Sequence, residues 1–168
     1  MIKRLILALC VVTLACGCKE DFSVWKEANV AWLEANKANL GQDDDIVKSF
    51  ISPTGLQCEI YHRGYGQTPK TASYVYLTYS GWLIDGTRVE HIQEQWVTVS
   101  DLIATCSFWR EILPEMPQGS RLKVYVPESL GYGEAGTKSI SAFVTPPYST
   151  LIFDIEILDV SQVDPSTI

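Results

Sequence analysis

The side chains in this 168-residue chain that are able to ligate a metal, attack a substrate or titrate near neutral pH are few and scattered. His62 and His91 are the two histidines, and neither sits in an HxxH or beside a CxxC, so their spacing argues against a metal centre. Of five cysteines, Cys10, Cys16 and Cys18 crowd the beginning of the chain, leaving Cys58 and Cys106 for the folded part. A single bridge between those two requires an oxidising compartment. Acidic residues are dispersed except for Asp43, Asp44 and Asp45. The formal charge of -7 argues against nucleic acid and against peripheral binding to anionic lipid. It becomes about -9 if Lys3 and Arg4 leave with a leader, since 11 Lys and Arg then face 20 Asp and Glu. A composition 46% hydrophobic and 20% charged is that of a globular chain able to bury the core of one domain. Chemistry here must come from something other than a metal or a histidine-centred site.

Lys3 and Arg4 precede an apolar stretch from Leu5 to Ala15, the charged start and short hydrophobic core of an export signal. It is too short for a comfortable membrane span, which takes about 20 apolar residues. Ala15-Cys16-Gly17-Cys18 then resembles the boundary of a bacterial lipoprotein signal, in which a small residue precedes the lipid-bearing cysteine. Cys18 is the expected attachment site, with Gly17 before it and Lys19-Glu20-Asp21 after it; Cys16 competes. Ala15 departs from the Leu usual there. The cysteine-lysine-acidic start is similar to the export tag of surface lipoproteins in Bacteroides-like bacteria. The resemblance implies a signal peptide over 1–17, a membrane partner reached through an N-terminal lipid, and a place in the cell envelope at the outer membrane, on its periplasmic or surface face. An ordinary cleaved signal with incidental cysteines and a retained helix are the alternatives.

Beyond the leader, Trp25, Ala28, Trp32 and Ala35 recur with a helical period, with Ser23 as the expected N-cap and Gly41 as the stop. The two tryptophans are expected to dock this helix on the domain or on a second copy of the chain, which would make a dimer. Residues 42–48 read as a polar linker, so 18–50 forms a helix and linker and 51–168 the domain. Strands are expected over 56–62, 73–79, 95–99, 122–127 and 151–160, where β-branched and aromatic residues alternate with polar ones. One short helix is expected over 101–116 from Leu102, Ile103, Cys106, Trp109, Ile112 and Leu113. An antiparallel sheet over one helix is an α+β arrangement.

Three ordered blocks go further. Tyr79-Ser80-Gly81-Trp82-Leu83-Ile84-Asp85-Gly86-Thr87, Leu122 to Gly133 with Met116 and Gly119 upstream, and Thr145-Pro146-Pro147 running into Leu151–Leu158 resemble the FKBP-type peptidyl-prolyl cis-trans isomerases. The resemblance implies an FKBP-like antiparallel sheet wrapped over a short helix. It also implies activity on proline-containing polypeptides and no cofactor. An apolar aromatic cup with one or two hydroxyl or backbone donors suffices for such chemistry, because the catalyst has only to favour a twisted amide.

By position, the resemblance assigns Tyr79, Trp109, Tyr132 and Phe153 to the cup, with Trp109 as its floor and Tyr132 as the donor to a bound carbonyl. Glu90 stands where the family has an aspartate and joins this catalytic group. Val89, Trp96 (or Val97), Thr105, Cys106 and Val144 fall on the substrate pocket. Val89 replaces a phenylalanine and opens one wall, while Glu90 carries its carboxylate about one methylene farther. Thr105 and Cys106 replace a Val-Ile pair whose main-chain donor is expected to survive. Ser107-Phe108 replaces a residue pair ending in glycine, and the loop between Gly136 and Thr145 is long enough for Phe143 to reach back toward the open wall. A prolyl isomerase acting on exported chains is the leading reading. A peptide-binding or chaperone-like module with weak or no activity is the second, and a structural protein using the tryptophan helix is the third.

Overall fold

The computed structural model describes residues 21–137 and 144–167; the leader with Cys16 and Cys18, and Phe143 in the long loop, lie outside the described residues. The run Tyr74-Val75-Tyr76-Leu77-Thr78-Tyr79 forms strand β3 (Tyr74–Trp82). Its inward side is Val75, Leu77, Tyr79 and Gly81, its outward side Tyr74, Tyr76, Thr78, Ser80 and Trp82. Around it stand β1 (Lys48–Ile51), β2 (Gln57–His62), β4 (Arg88–Thr98), β5 (Arg121–Val126) and β6 (Leu151–Ser161). All pairings are antiparallel, in the order β1-β2-β5-β6-β3-β4. The concave face holds a core of Leu77, Leu122, Val124, Phe153, Ile155 and Ile157, closed by Leu102, Trp109, Ile112 and Met116 from the helical segment. This is the expected α+β, FKBP-like arrangement with an N-terminal helix in front.

The structure extends the sheet at both edges. Lys48–Ile51, at the end of the expected linker and helix segment, pairs with β2, and the Val47 N–H already donates to the Ile60 carbonyl at 2.8 Å. Strand β4 begins at Arg88 rather than Gln95, because a tight turn with Gly86 at φ 84° folds the chain straight back from β3. Its first half, Arg88 to Gln95, is a polar edge strand without clean alternation, which hides it from a periodicity argument. The expected single helix is two. Thr98 caps α2 (Val99–Thr105) by accepting the Asp101 N–H at 3.0 Å, and Cys106 then turns extended at φ -141°. The chain resumes as α3 (Trp109–Ile112), and a tighter turn at Leu113–Glu115 carries Pro114.

Helix α1 (Ser23–Asn36) has Phe22, not Ser23, at its N-cap, and the Asp21 carboxylate just before it accepts the Ser23 N–H at 2.9 Å. The tryptophans dock on the chain's own domain. Trp25 donates to the Ser149 hydroxyl at 3.1 Å, and the Trp32 ring lies 5.9 Å from that of Tyr125. Between them Asn29 is buried, its carbonyl accepting the Thr150 N–H at 2.7 Å and its amide donating to the Trp25 carbonyl at 2.8 Å. Farther along, Gln57 donates to the Leu33 carbonyl and accepts from Asn36. Buried Glu59 accepts from Tyr125 and from the Gly41 N–H. Strand β2 is thus covered on both faces, and the polar residues on its outer side are hydrogen-bonded as burial demands.

Asn29→Ala is expected to lower stability by about 1–3 kcal/mol, because it strands the Thr150 N–H in a dry contact. Urea unfolding of the two proteins, with the slope unchanged and the midpoint lowered, checks this.

Candidate active site

Gly81 on β3 faces Phe153 on β6, and a Cβ at position 81 would sit 2.5 Å from the Phe153 Cε1. The missing side chain lets the Phe153 ring settle against the strand. Three other rings meet it there. Tyr79 stands edge-on at 5.7 Å, Phe108 stacks at 5.0 Å, and Trp109 lies 6.3 Å away. Tyr79 and Trp109 are themselves 5.4 Å apart, and Phe108 stacks on Trp109 at 4.6 Å. Such pairs each contribute about 0.5–1.5 kcal/mol beyond the area they bury. Tyr79, Trp109 and Phe153, which the sequence assigns to one cup, are therefore brought together.

Phe108 is the member that the sequence reading did not assign to the cluster. It is fully buried, and its N–H donates to the Leu130 carbonyl at 3.2 Å, joined there by the Ser107 hydroxyl at 3.3 Å. These bonds fasten the corner before α3 to the loop that carries Tyr132. A phenylalanine in place of a small residue beside Trp109 is the signal that would have found it.

The polar side of the site comes from a β-bulge. Gly81 pairs with Glu90 but Trp82 with Arg88, so Val89 is an extra residue on β4. A bulge re-aims side chains, and here Val89 enters the core while Glu90 turns its carboxylate toward Tyr132, whose hydroxyl donates to it. The Tyr79 hydroxyl is near enough to act on the same carboxyl, which it pulls down. Burial pushes the Glu90 carboxyl up to about 7, against that opposing pull. Burial, followed by the nearby Glu90 charge, raises the Tyr79 hydroxyl above its ordinary range. The Cys106 thiol is pushed up to about 12 by burial first and Glu90 second, so it stays protonated. Cys58 is likewise raised to about 12, and both cysteines are free and buried.

The remaining predicted pocket residues are not gathered with these. Trp96 pairs with Tyr76, and the two rings lie tilted to each other at 5.3 Å on the outer face of the sheet. There it lines a cleft of about 490 Å³ with Tyr74, Asp101 and Asp164. Val97, opposite buried Val75, is the neighbour that packs against the core. The register shift between Leu77 and Tyr79, with Glu94 at φ 46°, decides which of the two turns inward. Thr105 is exposed, its hydroxyl donating to the Asp101 carbonyl at 3.0 Å. Of the Thr105-Cys106 pair, the Cys106 N–H is taken by the Leu102 carbonyl at 3.0 Å, because Cys106 closes the last turn of α2. Val144 is 59% exposed. His62 and His91 are both exposed; His91 shares a 2.9 Å hydrogen bond with Ser80.

A raised carboxyl favours the folded state most when it is neutral. Its stabilising contribution is present in full below the unfolded carboxyl value of about 4.3 and is lost as pH rises through about 7. Glu90→Gln is therefore expected to gain stability relative to the parent between pH 5 and 8, by about 1–3 kcal/mol at the upper end. Chemical denaturation at a series of pH values checks the sign; a difference that does not change with pH contradicts it.

A family profile described as "FKBP-type peptidyl-prolyl cis-trans isomerase" matches residues 66–158, more than half of the chain. The chain is 36% identical over 110 residues to the FKBP-type peptidyl-prolyl cis-trans isomerase FkpA of Escherichia coli strain K12, covering 65% of this chain and 39% of FkpA. It is 34% identical over 133 residues to the outer membrane protein MIP of Legionella longbeachae, covering 79% of this chain and 52% of that one. In fold it is similar to a peptidyl-prolyl cis-trans isomerase of Pseudomonas syringae, with a TM-score of 0.69 at 23% identity over 87% of this chain and 100% of the other. The chain spans about two fifths of the length of FkpA.

Proposed function

The chain belongs to the FKBP-type peptidyl-prolyl cis-trans isomerase family, and from that membership we propose that its domain isomerises X-Pro bonds in exported polypeptides. The observation that carries this reading is the convergence of the Tyr79, Trp109 and Phe153 rings, with Tyr132 packed against the same core. Rotation about an X-Pro bond breaks amide resonance against a barrier of about 18–20 kcal/mol in a non-proline amide, and it remains slow, on the order of tens of seconds, for proline. An enzyme lowers it by holding the twisted amide better than the planar one. The aromatic floor takes the proline ring out of water, and Tyr132 supplies the polar contact to the carbonyl before the proline. No bound group is needed for this chemistry. Newly exported chains that wait on slow proline isomers are the natural clients.

A second reading, a peptide-holding module with little catalysis, is favoured by two features. Val89 offers a smaller wall than an aromatic ring would, and the Cys106 N–H is already bonded within the chain. Catalysis of a proline-containing peptide by residues 19–168 separates the two: acceleration supports the enzyme, while binding without acceleration supports the module. Tyr132→Phe is expected to lower kcat/KM by about 5–30-fold, the loss of one useful hydrogen bond in the transition state, and to cost about 1–3 kcal/mol of stability for the bond to Glu90 that it removes. A refolding or protease-coupled assay beside a denaturation curve reads both quantities.

The address at the N-terminus supports an envelope location, with the domain held by a lipid on Cys18. Metabolic labelling with a fatty acid is expected to mark the full chain and to be lost in Cys18→Ser but kept in Cys16→Ser. The reverse pattern moves the anchor to Cys16, and labelling of neither parent nor variants removes it.

A further inference from the structure

Glu90 and Tyr132 are bonded to each other at the place where, on the reading above, Tyr132 must turn to a substrate. A phenol has one hydrogen to donate. In this structure Tyr132 gives it to Glu90. An ionised carboxylate only accepts, and it holds a phenol roughly twice as strongly as a neutral carbonyl does. A peptide carbonyl entering the cup therefore competes with a better acceptor for the same hydrogen. The reach for this contact comes from the chain's own construction, the bulge at Val89 and a glutamate rather than a shorter acid at position 90.

We propose that Glu90 is a positioning residue that sequesters the Tyr132 hydroxyl when ionised and releases it to the peptide carbonyl when protonated. The inference deepens the isomerase reading and rests on it. Once neutral, Glu90 carries an O–H of its own and can donate to a phenol oxygen instead of demanding a hydrogen from one. The titratable groups that face it are Tyr79 from β3, Tyr132 from the loop after β5, and Cys106 from the end of α2. Both Tyr79 and Cys106 keep their protons through the neutral range, so Glu90 is the member of this cluster that changes charge there. Its burial places that change near neutrality. Among the described residues neither salt bridge includes it. Ionisation also sets a charge beside an apolar cup meant for a proline ring, which disfavours filling the cup in the same pH range.

The test is kcat/KM for one proline-containing peptide from pH 5.5 to 8.5, measured with the full chain and with Glu90→Gln and Tyr132→Phe. The parent is expected to gain about 3–10-fold as pH falls through the Glu90 titration. Glu90→Gln is expected to show a flat profile at or above the parent's acidic level, and Tyr132→Phe a flat profile at a low level. A Glu90→Gln enzyme that keeps the parent's pH dependence, or that is slow at every pH, overturns the proposal. If no protein exceeds the uncatalysed rate, the isomerase reading fails, and peptide affinity followed by tryptophan fluorescence over the same pH range takes over. Affinity that rises on acidification in the parent but not in Glu90→Gln upholds the gate as a binding device. Affinity indifferent to both, or no binding, overturns it.

Discussion

The close approach of β6 to Gly81 is the constraint on which the site depends. A side chain at that position would occupy the volume of the Phe153 ring, and Phe153 is the ring that Tyr79, Phe108 and Trp109 all meet. Three elements far apart in sequence, β3, the corner before α3 and β6, are thereby fixed to one another at a single point. Because protein interiors are close-packed, moving one ring moves its neighbours, and the floor of the cup behaves as a unit. The same strand position sets the polar side as well. Gly81 is the partner of Glu90, and the bulge that follows it turns Glu90 toward Tyr132.

Helix α1 acts on this arrangement from the opposite face. Beside the packing of Trp25 on the core and of Trp32 on Tyr125, it makes polar contacts: Asn29 to Thr150, Trp25 to Ser149, and Gln57 to Leu33. Thr150 immediately precedes β6, so the helix grips the entry to the strand that carries Phe153. Hydrogen bonds of this kind contribute modestly when made, about 1 kcal/mol each, but are expensive to break in a dry contact. They fix where α1 sits more than how strongly it is held. Both tryptophans are used within the chain, one through its N–H and one through its ring, which explains their helical spacing without a second copy.

Much of the fold was legible because its strands advertise themselves. β3 and β6 alternate cleanly, and the turn at Asp85-Gly86 is written in residue types that favour it. β4 was half hidden, since its outer edge faces water and its sequence from Arg88 to Gln95 is polar. β1 was hidden because four exposed or half-exposed residues carry no periodic signal. In the site, the ring positions followed from the motif blocks, whereas Trp96 did not. A register shift on β4 sends one of two adjacent residues inward, and nothing local in Trp96-Val97 says which. The bonding of the Cys106 N–H was hidden for a similar reason: whether a main-chain N–H is taken depends on where the preceding helix ends.

The departures at positions 89, 90 and 108 bear on one another. Val89 places a small buried side chain on the β4 side, and Phe108 places a buried ring on the side of α3. The Phe108 N–H and the Ser107 hydroxyl both donate to the Leu130 carbonyl, which ties the loop that carries Tyr132 to the same corner. The Tyr132 phenol is thus approached from two sides, by the corner that its loop is bonded to and by the Glu90 carboxyl that accepts its hydrogen.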